Sequence, residues 1–455
     1  MSAAARLAAF PALAKRLPGA RLPWLAALRR RAIERFARAG WPTNRLEQWR
    51  HTSLAGLETQ TFAPPAAAPR PEALLARLRG QTDGPRSRAD DGDGGGHWLV
   101  FVDGAFAPAL SAIGALPAGA TITALSAALA AREPDVEALF GSAEDGEAPS
   151  ALNAALAGDG ALIRIAPGIA VDAPIHLVFI GGVREGEHHV RNLVKAGAGT
   201  RATIVEHYVG EGDAATLTTA VTRIDAGADA RIVHLKLQQE AGQAVHLAAI
   251  DAVQARGAAF TSHALAFGAR LARTDIRTRF DGEGCHALLN GLYHVDGRRH
   301  VDHHTRIDHA QPRGTSEEHY RGIVDGIGHG VFCGRIVVAP GAGRTDALQR
   351  TDSLLLSPHA QADARPELEI YADDVKCTHG ATVGRIDEES LFYLRSRGLD
   401  ATDARNLLIR AFAAEALARI DLPSLRARAE AAIGARLPGG PLSAPRDGRL
   451  AMDAS

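Results

Sequence analysis

Thiols are scarce in this chain of 455 residues, which has only three cysteines and no Cys-x-x-Cys pair. Cys285, Cys333 and Cys377 lie far apart in the sequence. Such spacing is not that of a disulfide framework, so a reducing compartment fits best. The chain also cannot supply alone the roughly four thiolates that usually hold an iron–sulfur cluster.

Lysine is scarce as well, because only four of the 51 basic residues are Lys and none of them follows a glycine. A P-loop requires a Gly-Lys pair, so the chain is not predicted to hydrolyse ATP by that route. No Gly-x-Ser-x-Gly elbow occurs, which removes one common signature of a serine hydrolase. The formal net charge of −1 argues against non-specific binding to nucleic acid, which needs a basic surface.

Long hydrophobic runs are missing too, and no apolar segment approaches the ~18 residues that a membrane-spanning helix needs. The N-terminal segment is rich in arginine and poor in acidic residues, as a transit peptide is. However, Pro11, Pro18 and Pro23 interrupt it, and it has no apolar core with a cleavage site. We therefore expect a soluble, cytoplasmic protein without a membrane anchor.

The N-terminal part shows helical periodicity. Apolar residues recur at spacings of three and four from Leu25 to Phe36, and Gly40 stands where a helix C-cap is expected. A second amphipathic helix is predicted over residues 71–79. Residues 80–96 are a Gly- and Asp-rich, low-complexity segment that we expect to be a mobile loop. Together these segments form a predicted helical domain, residues 1–96.

The C-terminal part is also predicted to be helical. Asp387 is expected to cap a first helix that ends near Gly398, and Asp400 a second one. Pro423 is placed to open a third helix in its first turn. These helices define a predicted domain over residues 386–437, and the tail, residues 438–455, is predicted to be disordered.

Between these domains, glycines that precede short alternating strands recur about every thirty residues. They are Gly197, Gly227, Gly257, Gly284, Gly314 and Gly343. A sustained period of this length, with strands and turns but no helical spacing, is typical of a β-solenoid. The alternative is accidental spacing in a chain that has 47 glycines. Alternating segments return at the same offset, which favours a solenoid core over residues 97–385 in a mainly β protein.

The most informative segment is 366–384, where an alternating strand and an Asp-Asp pair precede Val375, Cys377 and His379 on one strand face. A thiol and an imidazole two residues apart on a strand can reach one atom, and both bind iron, zinc or copper. The alternative is a Val-Cys-His face in the core, because cysteine is often buried. A strand that closes the last coil would present His379 to a partner, whereas one inside the solenoid would bury it.

A second metal-like pattern is the histidine-rich run between His300 and His309. By alternation, Asp302 and His304 share one strand face and His303 takes the other. Zinc enzymes gather their protein ligands on one side of the ion. The split therefore favours solvated or hydrogen-bonded strand histidines over a zinc site.

Several motifs resemble the SufB/SufD family of the SUF iron–sulfur cluster assembly machinery, and its SufD branch in particular. They are Tyr320-Arg-Gly-Ile-Val324, Phe332-Cys-Gly-Arg-Ile336, Thr351-Asp-Ser-Leu-Leu-Leu-Ser357, residues 366–384 and Leu391-Phe-Tyr-Leu-Arg-Ser-Arg-Gly398. SufB has a cluster-building cysteine where this chain has Thr351, and Glu where it has Gly380. The SufD branch therefore fits better. One departure is Cys333, which stands where the family usually has Asn.

The resemblance implies a right-handed parallel β-helix flanked by helical domains, acting as a non-catalytic scaffold with no catalytic residue of its own. It implies pairing with SufB through the solenoid ends and a transient iron–sulfur cluster at that interface. His379 would be the metal-binding residue and Cys377 would accompany it. Independently of the resemblance, an unpaired solenoid end exposes strand edges through which two copies of the isolated chain could pair as a homodimer. Whether a flavin binds the assembled complex is left open.

The resemblance also implies that SufC, an ABC-type ATPase, docks on the C-terminal helices. The residues predicted to contact it are Asp387, Leu391, Phe392, Leu407 and Phe412. A rival hypothesis is a metal-dependent hydrolase or lyase on a β-solenoid. Such enzymes usually bind along an exposed sheet lined with aromatic residues, which are only 5% of this chain. Co-purification with an ATPase would favour the scaffold, and activity of the chain alone would favour the enzyme.

Overall fold

The computed structural model describes residues 2–64, 70–80, 96–212 and 215–438. Apart from their terminal residues, the loop expected over 80–96 and the tail expected over 438–455 lie outside these ranges. No helix within them is both long and apolar enough to cross a membrane.

Helices lie at both ends of the described chain and also between residues 125 and 156. They are α1 (Ala3–Ala14), α2 (Pro23–Ala39), α3 (Pro71–Gly80), α4 (Leu125–Ala131), α5 (Val136–Phe140), α6 (Ala148–Leu156), α7 (Glu388–Ser396), α8 (Ala401–Leu417) and α9 (Pro423–Gly434). Pro23 and Pro423 occupy first turns, where the missing N–H costs no hydrogen bond. Gly40 has a φ of 67° and is the C-cap that ends α2, as predicted.

Strands fill the middle of the chain. They are β1 (His97–Val102), β2 (Ala105–Phe106), β3 (Ala120–Ala124), β4 (Ala161–Ile165), β5 (Ala170–Ile180), β6 (Glu187–Ala196), β7 (Arg201–Val209), β8 (Leu217–Ala226), β9 (Arg231–Gln239), β10 (Val245–Gln254), β11 (Ala259–Ala266), β12 (Leu271–Phe280), β13 (His286–Val295), β14 (His300–His309), β15 (Thr315–Val324), β16 (His329–Val338), β17 (Asp346–Leu355), β18 (Gln361–Ile370) and β19 (Lys376–Arg385). Most are ten residues long.

The strands alternate between two sheets, so each coil of the chain contributes one strand to each. Sheet A has the order β19-β17-β15-β13-β11-β9-β7-β5-β1-β2, and sheet B has the order β18-β16-β14-β12-β10-β8-β6-β4-β3. All pairs from β4 and β5 onward are parallel. This is a β-solenoid of about eight coils, and the fold predicted from the sequence period is confirmed.

The period itself is visible in the strand register. Arg201 pairs with Arg231 and Asp346 pairs with Lys376, so equivalent positions of neighbouring coils are about thirty residues apart. The predicted glycines lie in the turns that stack between coils. A Cβ added at Gly227 would lie 2.8 Å from the Gly197 carbonyl carbon one coil earlier, which leaves no room for a side chain.

Apolar side chains fill the solenoid interior and also cover parts of its outer faces. Inside, residues such as Ile163, Ile204 and Phe260 form one cluster along the axis. Outside sheet B, α2, α4, α5 and α6 pack on its N-terminal strands, and outside sheet A, α8 and α9 pack on its middle strands. Within the described ranges, the helices therefore cover much of the solenoid flank and leave its C-terminal end uncovered.

Candidate functional site

The segment with Cys377 and His379 forms the last coil of the solenoid. β19 pairs with β17 and β18 pairs with β16. Within the described residues, no strand pairs with the outer edge of either β18 or β19. We call the surface formed by these two strands the open end. His379 therefore lies at the end of the solenoid and not in its middle, which decides between the two placements left open by the sequence.

The free edge of β19 presents backbone hydrogen-bonding groups. The Lys376 N–H donates to the Thr345 carbonyl at 2.8 Å, so Lys376 faces β17. Alternate residues of a parallel strand turn their backbone groups to opposite sides. The N–H and C=O groups of Cys377, His379 and Ala381 consequently point to the uncovered edge.

The His379 side chain lies on the inner face of the solenoid wall but is exposed, because no further coil covers it. In the register it sits directly beyond Gln349 of β17, whose side chain is fully buried. In the part of the chain that the structure describes, no hydrogen bond or ion pair engages the His379 imidazole. The ring is therefore available to a ligand at the open end.

Cys377 lies on the same face two residues earlier, beyond Ala347 of β17. Its side chain is half-buried and packs against the interior apolar cluster. Burial and the nearby Asp346 carboxylate raise the pKa of the Cys377 thiol. The thiol and the imidazole are roughly 7 Å apart along the strand, so one metal centre of cluster size can reach both.

Large apolar side chains surround this pair at the open end. Ile370 is 41% exposed, Tyr371 62% and Val383 47%. None of the ten residues of β18 is fully buried, in contrast to the strands farther inside. Exposed large apolar side chains beside unpaired strand edges are a feature of protein–protein contact surfaces.

A polar stack continues from His379 into the interior. The Gln349 amide donates to the carboxyl group of Glu318, which is the next residue along the register. Glu318 is fully buried, and this burial raises the pKa of its carboxyl group to about 7, against the opposing hydrogen bonds from Gln349 and Thr305. Sequence reasoning missed both residues: subtracting the thirty-residue period from His379 gives Gln349, but Glu318 lies thirty-one positions before Gln349.

The residues predicted to dock the ATPase lie on α7 and α8 or cap α7. The fifth of them, Phe412, differs from the other four because it packs inward. Asp387 caps α7 by accepting from the Ser390 N–H at 2.8 Å. Phe392 is 74% exposed and Leu407 37% exposed. Leu391 is half-buried. The fifth residue, Phe412, packs inward under the guanidinium of Arg321, with the Arg321 Cζ 4.6 Å from the ring centroid.

The side chains of the histidine-rich run alternate between the inner and outer faces of sheet B, as the sequence alternation predicts. His303 points inward, between the rings of Tyr293 and Tyr320 at 5.5 and 5.3 Å, and burial lowers its pKa to about 3. His304 points outward and pairs with Asp302. Over the described ranges, no group of three or more His, Cys, Asp or Glu side chains is arranged to hold a metal ion.

Comparison with known proteins agrees with the motifs. The family profile described as "SUF system FeS cluster assembly, SufBD core domain" matches residues 179–412, about half of the chain. The iron–sulfur cluster assembly protein SufD of Escherichia coli (strain K12) is 34% identical over 412 residues, which are 90% of this chain and 92% of that protein.

Two further relatives extend the comparison. The iron–sulfur cluster assembly SufBD family protein slr0076 of Synechocystis sp. is 33% identical over 349 residues, covering 74% of this chain and 77% of that protein. The protein ABCI7, chloroplastic, of Arabidopsis thaliana is 27% identical over 421 residues, or 90% of this chain and 86% of its own length. The residues matched by the family profile, 179–412, run from the end of β5 through the open end into α8.

Proposed function

The chain belongs to the SufBD family of iron–sulfur cluster assembly proteins, and we propose that it is a non-catalytic scaffold subunit that holds a nascent cluster at an interface with a SufB-type partner. The observation that supports this proposal is the position of His379. Among the described residues, it is an exposed imidazole without a hydrogen-bond or ion-pair partner, on the last strand of the solenoid with the Cys377 thiol.

The ligands at the open end are too few for a cluster held by this chain alone. Iron–sulfur clusters are usually held by about four protein ligands, and the open end offers one imidazole and one thiol. The partner must supply the others. Thiolates are the usual cluster ligands, and a site that relies in part on an imidazole is suited to a cluster that is cargo and must leave.

The backbone and apolar surface of the open end are suited to pairing with another solenoid. The outer edges of β18 and β19 offer backbone donors and acceptors along ten residues each. A partner strand added there would satisfy them and would cover Ile370, Tyr371 and Val383. We propose the SufB-type partner as the occupant. The same complementarity leads two copies of the isolated chain to pair through their open ends.

The outward side of α7 and α8 is the proposed contact for a SufC-type ABC ATPase, which would supply ATP hydrolysis to the complex. Phe392 and Leu407 are apolar side chains exposed there, and Asp387 and Leu391 belong to the same helix pair. Phe412 contributes by packing α8 onto the solenoid through Arg321. Flavin binding to the complex and a cytoplasmic location stay predictions.

The exposed aromatic residues argue against the rival hydrolase or lyase. In the described ranges, the large exposed aromatic side chains are Tyr371, Phe392 and Tyr393. They lie at the open end and on α7, and not along a sheet face where a polymer would bind. Their positions favour protein contacts at the two proposed docking surfaces.

Anaerobic co-expression tests the proposal. The tagged chain would be purified with SufB- and SufC-type partners as wild type, as His379→Ala and as His359→Ala, and iron and sulfide would be measured per complex. His359 is an exposed histidine in the turn before β18 and serves as the matched control. We expect all three complexes to form and only His379→Ala to lose its cluster. A full cluster in the His379→Ala complex would contradict the proposal and leave His379 a structural residue.

A further inference from the structure

A buried amide directly beneath His379 has one hydrogen-bonding atom without a partner. The side chain of Gln349 is fully buried on the inner face of β17, and His379 is its neighbour in the strand register. The amide nitrogen of Gln349 donates to the Glu318 carboxyl group, one coil farther inside. Its amide oxygen, Oε1, accepts no hydrogen bond within the described structure. A buried acceptor without a donor is unfavourable, and folded proteins leave few of them unmet.

The opposite wall of the solenoid makes room for this amide and offers it no side-chain donor. Gly334 of β16 lies across the interior, and a Cβ added there would overlap the amide nitrogen of Gln349. The residue beyond Gly334 in the register of sheet B is Pro366, whose ring carries no polar hydrogen. A donor for the Gln349 Oε1 must therefore come from sheet A.

On sheet A, the neighbours of Gln349 leave His379 as the donor. Ala347 and Thr351 share its strand face, but Ala347 has no polar side-chain atom and Thr351 lies two residues along the strand, about 7 Å away. Glu318 already engages the amide nitrogen. His379 is the next residue on the other side, at the strand spacing of about 4.8 Å.

A rotation of the His379 ring is enough to join the two side chains. In the described structure they are adjacent and not hydrogen-bonded to each other. The χ2 torsion of histidine is broad, so a change in ring orientation costs little. A neutral imidazole carries a hydrogen on one nitrogen and a lone pair on the other. When its N–H group points to the Gln349 Oε1, the lone pair of the second nitrogen stays available at the open end.

We propose that Gln349 is a positioning residue for His379: its Oε1 accepts the imidazole N–H, which selects one tautomer and directs the other ring nitrogen to the cluster. Glu318 holds the amide in this orientation by accepting from its N–H group. The inference rests on the proposed function of His379 as a cluster ligand. A hydrogen bond of this kind orients a ligating histidine, and its loss typically lowers metal affinity by about 10–100-fold.

The reverse orientation of the amide would have the opposite consequence. An N–H group facing His379 would donate to the ring nitrogen and occupy the lone pair that a metal ion needs. The Gln349 oxygen would then face Glu318, which would have to be protonated in order to donate to it. Burial raises the pKa of the Glu318 carboxyl group to about 7, so its carboxylate form predominates at pH 8 and favours the first orientation.

The tautomer of His379 in the isolated chain is the direct readout. Nitrogen-15 NMR of histidine-labelled protein at pH 8 detects it, and His379→Ala identifies its signals among the 19 histidines. We expect one tautomer to exceed the other by about tenfold in the wild type. Gln349→Met, which removes the acceptor, should give a mixture, and the matched control Thr351→Val should not. A mixture in the wild type, or one tautomer in Gln349→Met, would overturn the proposal.

Two glycine variants of β16 keep the proposal testable if Gln349→Met does not fold. Gly334→Ala leaves Gln349 in the chain but places a methyl group where its amide lies, so it should also give a mixture of tautomers. Gly330→Ala adds the same methyl group to the same strand, where it would meet Tyr293 and not Gln349. It should keep the single tautomer. The same result for both glycine variants would contradict the role of Gln349.

The assembled complex tests the consequence for the cluster. With SufB- and SufC-type partners, the Gln349→Met complex should lose iron to the chelator bathophenanthroline about tenfold faster than the Thr351→Val complex. His379→Ala, measured in parallel, separates the two ways of failing. A full cluster in His379→Ala would contradict the proposed function and, with it, a cluster-directed role of Gln349. A lost cluster in His379→Ala, together with unchanged iron release from Gln349→Met, would contradict the role of Gln349 alone.

Discussion

The two ends of the solenoid differ, although the coils between them are alike. At the N-terminal end, sheet A finishes with the two-residue antiparallel strand β2, and sheet B finishes with the five-residue antiparallel strand β3. Helices α4 to α6 pack beside them. At the C-terminal end, the ten-residue parallel strands β18 and β19 stop with their edges unpaired. Short antiparallel strands and helices protect an edge from association, whereas long unpaired strands invite it.

Buried carboxyl groups in the N-terminal and C-terminal halves of the solenoid also differ in their surroundings and in their pKa values. Glu206, in the N-terminal half, accepts from Tyr208 at 2.8 Å and Asn192 at 3.0 Å and pairs with His234. Burial would raise its pKa, but attraction to His234 and these hydrogen bonds lower it to about 2. Glu318, in the C-terminal half, has no cationic partner among the described residues and its pKa is about 7. The buried carboxylate of the N-terminal half lies beside a histidine with which it pairs, whereas the one in the stack under the open end has no such partner among the described residues.

The largest expected difference concerns core packing at the two ends. Ile163 is fully buried on β4, between β3 and β6, whereas Val383 on β19 is 47% exposed. Ile163→Ala should lower the free energy of unfolding by about 3 kcal/mol, because it leaves a cavity. Val383→Ala should cost less than about 1 kcal/mol. Urea denaturation of the isolated chain measures both, and equal losses would show that the C-terminal end is as tightly packed as the N-terminal one.

For binding to the partner, the two variants should rank in the opposite order, with Val383→Ala having the larger effect. Val383→Ala removes a side chain that the SufB-type partner would cover, so it should weaken association, whereas Ile163→Ala should leave the affinity of the folded chain unchanged. Titration of each variant with the partner separates the two effects. If only Ile163→Ala weakened the complex, this would contradict the proposal that the C-terminal end binds the partner and the N-terminal end is structural.

The next effect is a pH dependence that arises from Glu318. Its carboxyl pKa is raised above the unfolded value, so its contribution is complete below about pH 4.5 and is lost as the pH rises through about 7. Glu318→Gln, which cannot ionise, should therefore raise the free energy of unfolding by roughly 2 kcal/mol at pH 8. At pH 5 the difference should be small. Glu206→Gln, the matched control, should destabilise at pH 8, and stabilisation by both variants would contradict the contrast between the two halves.

The smallest expected effect concerns the second docking surface. Phe392→Ala should weaken binding of the SufC-type ATPase about tenfold, which is about 1.4 kcal/mol, because an exposed aromatic anchor is removed. Stability should be unaffected, since the ring is 74% exposed. Isothermal titration calorimetry with the ATPase is the measurement. Leu348→Ala, an exposed apolar residue on β17, is the control that should not change the affinity.

The fold followed from local signals in the sequence, and part of the candidate site did too. The thirty-residue recurrence of turn glycines such as Gly227 reports the coil length, because stacked turns leave no space for a side chain. Alternation placed Cys377 and His379 on one face. The return of helical periodicity after Gly384 is the signal that this strand is the last one, since no further coil follows to cover it.

Contacts between coils were not predictable in the same way. The Gln349–Glu318 stack joins residues that are thirty-one positions apart and that meet only through the register. A shift of one residue in that register would move each side chain to the other face of the wall. The raised pKa of Glu318 likewise depends on the absence of a cation nearby in the described structure, which no single segment encodes.

Hydrogen exchange of β19 in the isolated chain and in complex with the SufB-type partner is the most direct test of the open end as the docking surface. The amides of Cys377, His379, Ala381 and Val383 point to the unpaired edge, so they should exchange rapidly in the isolated chain at low concentration. They should become strongly protected in the complex, with no change in β1 to β3. Protection that appears at the N-terminal end, while β19 exchanges as before, would contradict the account.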